Sequence, residues 1–402
     1  MSWALRARPS AASVHAGGKA EQGILFLAEA PTQWQAPLFR YLASLDTLTV
    51  RTAFRKTFVA IDPELGHPPG WGDDLLSGYD WVVQPGDLLN WTLWVWRVIR
   101  DEQWRVYVVP GWSSLWARTF LACGVILGIR RRLIIFTDST NMRRNRRFKD
   151  WVRSLVLRML SVAGVTFAVP GQLAKQHLLA LGIAHRHLLR LPYAIDNDRF
   201  GVLGDVRERG RLAQRVQWGV GPEDTVLLCI AKFSPREGPE DTVTAFCSVA
   251  PAWPNSQLVV VGDGPERSLV ETAAGRYLGT RVRLVGYVAY GDLPHCYWAA
   301  DAFVHLPRSE PWGLSLNEAA AAGLPIITSS RVGASVDLVE RGTGYVTDGT
   351  IGDAARAMET FLAQSPTDRE TMGRHSRTLG ERVSYAHWAE ALTEVAPSGL
   401  EQ

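Results

Sequence analysis

Twice along its 402 residues the chain runs through the same pattern, short apolar stretches of strand length separated by longer stretches with helical spacing. In the first pass the strands are Ile24–Ala28 (ILFLA), Thr47–Thr52, Trp81–Gln84, Val106–Val109, Leu133–Phe136 and Val165–Val169. Helical stretches such as Ala36–Ala43, Trp112–Leu127 and Phe148–Ala163 lie between them. Strands that alternate with helices argue for a parallel sheet with helices on its faces. After LPYAIDNDRF (Leu191–Phe200) comes a polar, Arg- and Gly-rich segment, Gly201–Glu223, which reads as a linker. The pattern then restarts with strand Thr225–Ala231, helix Pro239–Val249, strand Gln257–Val261, helix Glu266–Ala274, strand Val282–Leu284, helix Tyr290–Trp298, strand Ala302–His305 and strand Pro325–Ser329.

The expected fold class is therefore α/β, two doubly wound halves in series. The expected division is a disordered tail at 1–21, a first domain at 22–200, a linker at 201–223, a second domain at 224–380, and a last helix and tail at 381–402. The opening 21 residues have no continuous apolar core, so they do not read as a secretory signal. The longest apolar run, Thr119–Ile129, is well short of a bilayer span. A net charge of +3 is too small to argue for nucleic acid, and four widely spaced cysteines with no CxxC pair read as buried small hydrophobes in a reducing compartment. The expected location is cytoplasmic, with no metal site.

The stretch Ser309–Gly323, SEPWGLSLNEAAAAG, places Glu310 and Glu318 on either side of a helix start. Pro311 and Gly313 resist helix, so the helix is expected to run from Leu314 to Ala322, with Gly323 as its stop. Glu310 then sits in the loop at the carboxyl end of a parallel strand, where open α/β sheets bind ligands. The first amides, at Trp312, Gly313, Leu314 and Ser315, would form an anion site aided by the helix dipole. Two carboxylates flanking an anion site suit neutral hydroxyls on either side of a diphosphate, as in a nucleotide sugar. The plainer alternative makes Glu310 a charge on the helix dipole and Glu318 a solvated helix residue.

EPWGLSLNEA resembles the E-x7-E motif of the family 4 retaining glycosyltransferases, whose GT-B fold faces two Rossmann-like domains across an active-site cleft. Further segments match in order: AKFSPREGPEDTVTAF, LVVVGDGPE (Leu258–Glu266), VRLVGYV (Val282–Val288), SSRVGASVDLVERGTGYV (Ser329–Val346) and LPYAIDNDRF. The resemblance is strong over roughly residues 190 to 395 and weaker over 24 to 190, where it rests on strand order, APLFRYL and FTDST. It implies transfer of a sugar from a UDP- or GDP-type nucleotide sugar, with no cofactor, to a sugar, lipid-linked or small-molecule acceptor. In that reading Glu310 holds donor-sugar hydroxyls and supports the transition state. Glu318 holds the ribose, and Gly313, Leu314 and Ser315 offer amides to the diphosphate. Lys232 faces the diphosphate as a cation, Gly286 and Tyr287 lie beside the base, and Gly262 closes the turn of LVVVGDGPE.

Three departures from the family pattern stand out. Glu237–Gly238 replaces the usual lysine–glycine pair, which leaves Arg236 as the substitute cation if the loop shifts. The loop after the first strand, Ala28–Pro37, has no glycine pair. VVPGWSS lacks the histidine commonly found near the acceptor, so Asp138 in FTDST becomes the polar candidate there, with a helix cap shared with Ser139 as its alternative role. Arg143–Leu160 adds an apolar stripe (Trp151, Leu155, Met159 with Val152, Val156, Leu160) among six arginines and Lys149. It reads either as a core helix with a solvated basic face or as a peripheral contact with anionic membrane. Eleven of the 16 tryptophans lie at or before Trp151, in core packing or in an aromatic acceptor groove. The competing functional readings are a non-catalytic nucleotide- or partner-binding protein, which Glu237 motivates, and an epimerase or phosphorylase of the same fold.

Overall fold

The computed structural model describes residues 23–58, 62, 64–65, 74–140 and 147–395, with the backbone alone at 147–150 and 152. Among them are two parallel sheets. The first holds β1 (Gly23–Ala28), β2 (Thr49–Phe54), β3 (Asp80–Val83), β4 (Trp104–Pro110), β5 (Leu133–Phe136), β6 (Thr166–Val169) and β7 (Leu188–Arg190). The second holds β8 (Thr225–Ile230), β9 (Ser256–Val261), β10 (Val282–Gly286), β11 (Ala302–His305), β12 (Ile326–Ser329) and β13 (Gly344–Thr347). Their orders are β3-β2-β1-β4-β5-β6-β7 and β10-β9-β8-β11-β12-β13. Each order reverses beside its first strand, which opens a crevice at the carboxyl ends of β1 and β4 and of β8 and β11.

The strands are apolar because each sheet is covered on both faces. Val226, Leu227, Leu228 and Cys229 of β8 are buried alternately in two separate cores, one on either side of the second sheet. The segment expected as a linker is instead ordered: Asp205–Trp218 is a helix packed against Leu293–Ala299. Its polar surface misled the reading, since anchoring comes from few residues. Arg215 is buried and donates to the Ala299 carbonyl and to Asp301, and Trp218 joins the core. Helices Ile351–Leu362 and Pro366–Glu381, which carried no sequence expectation, complete the second domain.

The last helix, Tyr385–Val395, crosses back to the first domain. Trp388 and Leu392 enter the core beneath β1, and the Trp388 indole N–H donates to the Pro192 carbonyl. Asp337 of the second domain accepts from the Gln172 amide at 2.9 Å and pairs with Arg190 at 3.0 Å. These contacts set the two crevices face to face.

Candidate functional site

A cavity of about 430 Å³ lies between the crevices. The first domain contributes Gln33 and Trp34 after β1, Asp62 and Leu65 after β2, and Asp138 after β5. The second domain contributes Lys232 and Glu237 after β8, Gly262 after β9, Tyr287 after β10, His305 ending β11, and the stretch from Glu310 to Ser315 with Glu318.

Both glutamates of the E-x7-E pair reach this cavity. Gly313, at φ +97, turns the chain into helix Leu314–Ala321, and a Cβ there would stand 2.8 Å from Val332 Cγ1. As first-turn residues, Leu314 and Ser315 have no carbonyl one turn back, so their amides are open to a ligand. The Trp312 amide is not, because it donates to Glu310 Oε1 at 3.3 Å. The Trp312 side chain is buried, its indole N–H bonded to Asn317 Oδ1 at 2.8 Å. Trp312 thus shapes the loop rather than binding a phosphate through its own N–H. Gly262 also lines the cavity, and its amide donates to the Gly286 carbonyl at 2.8 Å. Glycine is needed there because a Cβ would lie 1.8 Å from the Ala231 carbonyl oxygen. Gly286 therefore closes that turn, while Tyr287 lines the cavity.

Glu318 is buried and accepts a 2.6 Å hydrogen bond from the Tyr297 hydroxyl, so it is not the solvated helix residue of the plainer reading. Burial pushes its carboxyl up from 4.5 to about 7. A carboxyl whose pKa is raised by folding holds a proton that the unfolded chain has released. Its contribution to stability is present below 4.5 and is lost as pH rises through about 7. In urea unfolding from about pH 5 to about pH 8, wild type is expected to lose stability relative to Glu318→Gln as pH rises. Parallel curves would remove this assignment.

The cations of the site are occupied. Lys232 Nζ lies 2.7 Å from Asp62 and 3.4 Å from Glu64. Arg236 donates to Glu64, to Glu237 at 2.7 Å and to Glu310, bridging three carboxylates. In this conformation Arg236 is not among the lining residues; Lys232 and Glu237 are. Arg236 therefore braces Glu310 instead of standing where the usual lysine would. Glu237 turns inward, accepting from the Lys232 amide at 2.7 Å, and burial raises its carboxyl from 4.5 to about 7. Glu64 is pulled below the usual range by its hydrogen bond from Arg236. Burial opposes the same fall at Asp62, but the Lys232 ammonium overrides it.

The residues that an Asp138 cap would bond, from 141 on, lie outside the described residues. Ser139 bonds Thr137, while Asp138 Oδ2 accepts from the Tyr193 hydroxyl at 3.1 Å. Tyr193 packs edge-on to Trp34, with ring centroids 4.8 Å apart, and tilted to Trp312 at 6.0 Å. Among the described first-half tryptophans only Trp34 lines the cavity; Trp91 and Trp104 are core. Sequence reasoning missed Tyr193, His305, Asp62 and Glu64. His305 was readable as the last residue of a strand bordering the crevice. Burial pulls its pKa down to about 4, so it stands neutral beside Glu310. Asp62 and Glu64 carried no signal, since only the facing of the two domains brings them to Lys232.

The amphipathic stretch at 143–160 is only partly within the described residues, which begin again at 147. The helix Arg147–Val162 leaves Trp151, Leu155, Met159 and Val162 exposed, while Leu157 faces the core. Part of the apolar stripe thus points outward, while Leu160 packs against the core beside Leu157. Among the described residues no helix is long and apolar enough to cross a membrane.

Residues 211–378 match the family model described as "Glycosyl transferases group 1". A GDP-mannose-dependent monoacylated alpha-(1-6)-phosphatidylinositol monomannoside mannosyltransferase of Corynebacterium glutamicum is 28% identical over 54% of this chain and 57% of its own. A GDP-mannose-dependent alpha-(1-6)-phosphatidylinositol monomannoside mannosyltransferase of Mycobacterium tuberculosis is 32% identical over 40% of this chain and 42% of its own. The chain spans about half the length of the curated relatives it matches. Among solved structures, a glycosyltransferase from Rickettsia africae superposes with TM-score 0.72 at 12% identity, covering 95% of this chain and 99% of that one. Anabaena HepE in complex with UDP superposes with TM-score 0.70 at 18% identity, covering 94% and 100%. The chain therefore has the GT-B fold, and its second domain carries the sequence pattern of the group 1 glycosyltransferases.

Proposed function

We propose that this chain is a retaining glycosyltransferase of the family 4 type, moving a sugar from a UDP- or GDP-linked donor to an acceptor hydroxyl. The single observation that carries this reading is the E-x7-E pair: Glu310 and Glu318 line one cavity on either side of an open helix start, with Lys232 beside them. A diphosphate at that start gains the Gly313, Leu314 and Ser315 amides and the helix dipole. Glu318 and Tyr287 lie toward the nucleoside, Glu310 toward the sugar. The acceptor enters from the first domain, where Asp138, Gln33 and the faces of Trp34 and Tyr193 suit a polyol.

In the reaction the bond from the anomeric carbon to the diphosphate oxygen breaks, and the acceptor oxygen attacks from the same face. The acceptor proton passes to the departing phosphate oxygen. The protein's work is electrostatic: Lys232 and the helix start take up the growing negative charge, and Glu310 steadies the cationic sugar. The mannosyltransferases named above direct attention to GDP-mannose as donor and to a lipid-borne acceptor, with Arg143–Leu160 as the peripheral membrane contact.

Before a diphosphate can pair with Lys232, Asp62 and Glu64 must release it. The test is thermal stabilisation of the purified chain by UDP, GDP, ADP and TDP. One diphosphate is expected to stabilise wild type selectively and to fail with Lys232→Ala. Joint Asp62→Asn and Glu64→Gln substitution is expected to tighten its binding about tenfold at low salt, since two competing carboxylates are neutralised. No shift with any nucleotide, in wild type or in the neutralised variant, would overturn the reading.

A further inference from the structure

A second cavity, of about 670 Å³, opens on the far side of the first domain, where helix Arg147–Val162 ends. Arg130, Arg131, Arg158, Arg186 and His187 line it, and among the described residues no aspartate or glutamate does. Three separate segments bring these cations together: the turn Arg130–Arg132, the C-terminal half of the helix at Arg158, and the turn His185–His187.

This arrangement differs from the way the chain treats its other arginines. Arg211 and Arg215 share Asp301, Arg308 pairs with Glu240 and Asp241, and Arg267 pairs with Asp263 and Glu271. Among the described residues, Arg130, Arg158 and Arg186 make no salt bridge; the one bond from Arg158 goes to the Leu181 carbonyl, at 2.6 Å. Guanidinium groups gathered this closely repel one another and raise the local positive potential. His187 registers that field: burial first, then the Arg186 guanidinium, pulls its pKa below the ordinary value. A pocket built this way favours an anion.

The rim says which anion. Met159 and Val162 line the same cavity and are 65% and 88% exposed. They continue the face of Trp151 and Leu155, since positions 151, 155, 159 and 162 fall on one side of a helix. Ile126, four residues before Arg130, is 81% exposed. A soluble phosphate has no use for such a rim. A phosphate carried on acyl chains needs both parts: guanidinium groups for the headgroup and apolar side chains level with the chains.

We propose that this cavity receives the phosphate headgroup of an anionic membrane lipid, with Met159 and Val162 entering the acyl region beside it. The inference rests on the membrane contact proposed above and adds to it a defined headgroup site. Docked this way, the first domain meets the bilayer through an arginine-floored pocket rather than through a diffuse basic face. Guanidinium groups also suit this role better than ammonium groups, because their donors match phosphate oxygens in pairs.

The test is flotation of the purified full chain with vesicles of phosphatidylcholine, with and without phosphatidylglycerol. Three proteins are compared: wild type, the double variant Arg130→Gln/Arg186→Gln, and a control double variant of equal charge change in the second domain, Arg209→Gln/Arg276→Gln. Wild type is expected to float with the anionic vesicles only. The pocket variant is expected to bind them about thirtyfold more weakly, from roughly a tenfold or smaller loss per arginine, while the control binds as wild type does. Wild-type binding that both double variants weaken equally would overturn the pocket and leave the diffuse membrane contact standing. Equal binding by all three would do the same. No wild-type binding would overturn both. Stabilisation by inorganic phosphate, lost in the pocket variant and seen without vesicle binding, would assign the pocket to a soluble phosphate and overturn the lipid assignment. Stabilisation by the nucleoside diphosphate checks separately that the donor cavity is intact in every variant.

Discussion

Replacing Glu310 with glutamine is expected to lower kcat by about a hundred- to a thousandfold, while KM for the donor changes by less than about threefold. The reason is where its charge is held. Glu310 Oε2 accepts from Arg236, Oε1 accepts from the Trp312 amide, and the side chain lines the donor cavity. Its orientation is therefore set before substrate arrives. Glutamine keeps the shape and one acceptor oxygen but removes the negative charge that, in the proposed reaction, stabilises an oxocarbenium-like sugar. Because the interaction grows only as the anomeric carbon becomes cationic, its loss is expected in kcat rather than in binding. Initial rates with donor and acceptor, alongside far-ultraviolet circular dichroism, check this. A kcat within about threefold of wild type, with the fold intact, would move the sugar-stabilising role to another group.

The second large effect is expected at Arg236, and it is one of stability. Arg236→Ala leaves Glu64, Glu237 and Glu310 without their shared partner. Glu237 and Glu310 have side chains only 10% and 17% exposed, so water replaces the lost contacts poorly. Removing one member of a buried ion pair costs about 3–5 kcal/mol, and since the arginine itself is partly exposed, about 2–3 kcal/mol is expected here. Glu237, already raised to about 7 by burial, loses the cation that most opposes that rise. The variant is then expected to be most destabilised above about pH 7, where this carboxyl must ionise without a partner, and least so in mild acid. Urea unfolding at about pH 6 and about pH 8 reads the difference. A loss that does not grow with pH would mean that Glu237 is not the group left exposed.

These two residues also show how far the chain could be read without its fold. The pair Glu310 and Glu318 was legible because the motif is local: strand end, loop, Gly313 and helix start lie within one short stretch. Lys232 was legible for the same reason, as the residue just past β8. Trp312 was expected to offer its amide to an anion, and the structure turns that N–H to Glu310, because sequence shows that an N–H exists but not which acceptor takes it. The helix Asp205–Trp218 was read as a linker since its burial rests on Arg215 and Trp218 rather than on a full apolar stripe.

What the sequence determined by itself is the architecture and the second domain's side of the cavity. Two series of apolar strands separated by helices can be buried only as covered parallel sheets, and motifs that follow strand ends necessarily gather at the crevice. What only the tertiary structure decided is everything that depends on two domains facing each other or on a surface being left open. Asp62 and Glu64 meet Lys232 and Arg236 across about 170 residues of chain. Tyr193 bonds Asp138, and the last helix returns to the first domain through Trp388. The outward stripe on Arg147–Val162 was visible as a periodicity, but its direction was not, because an apolar face looks the same in sequence whether a core or a membrane is to cover it.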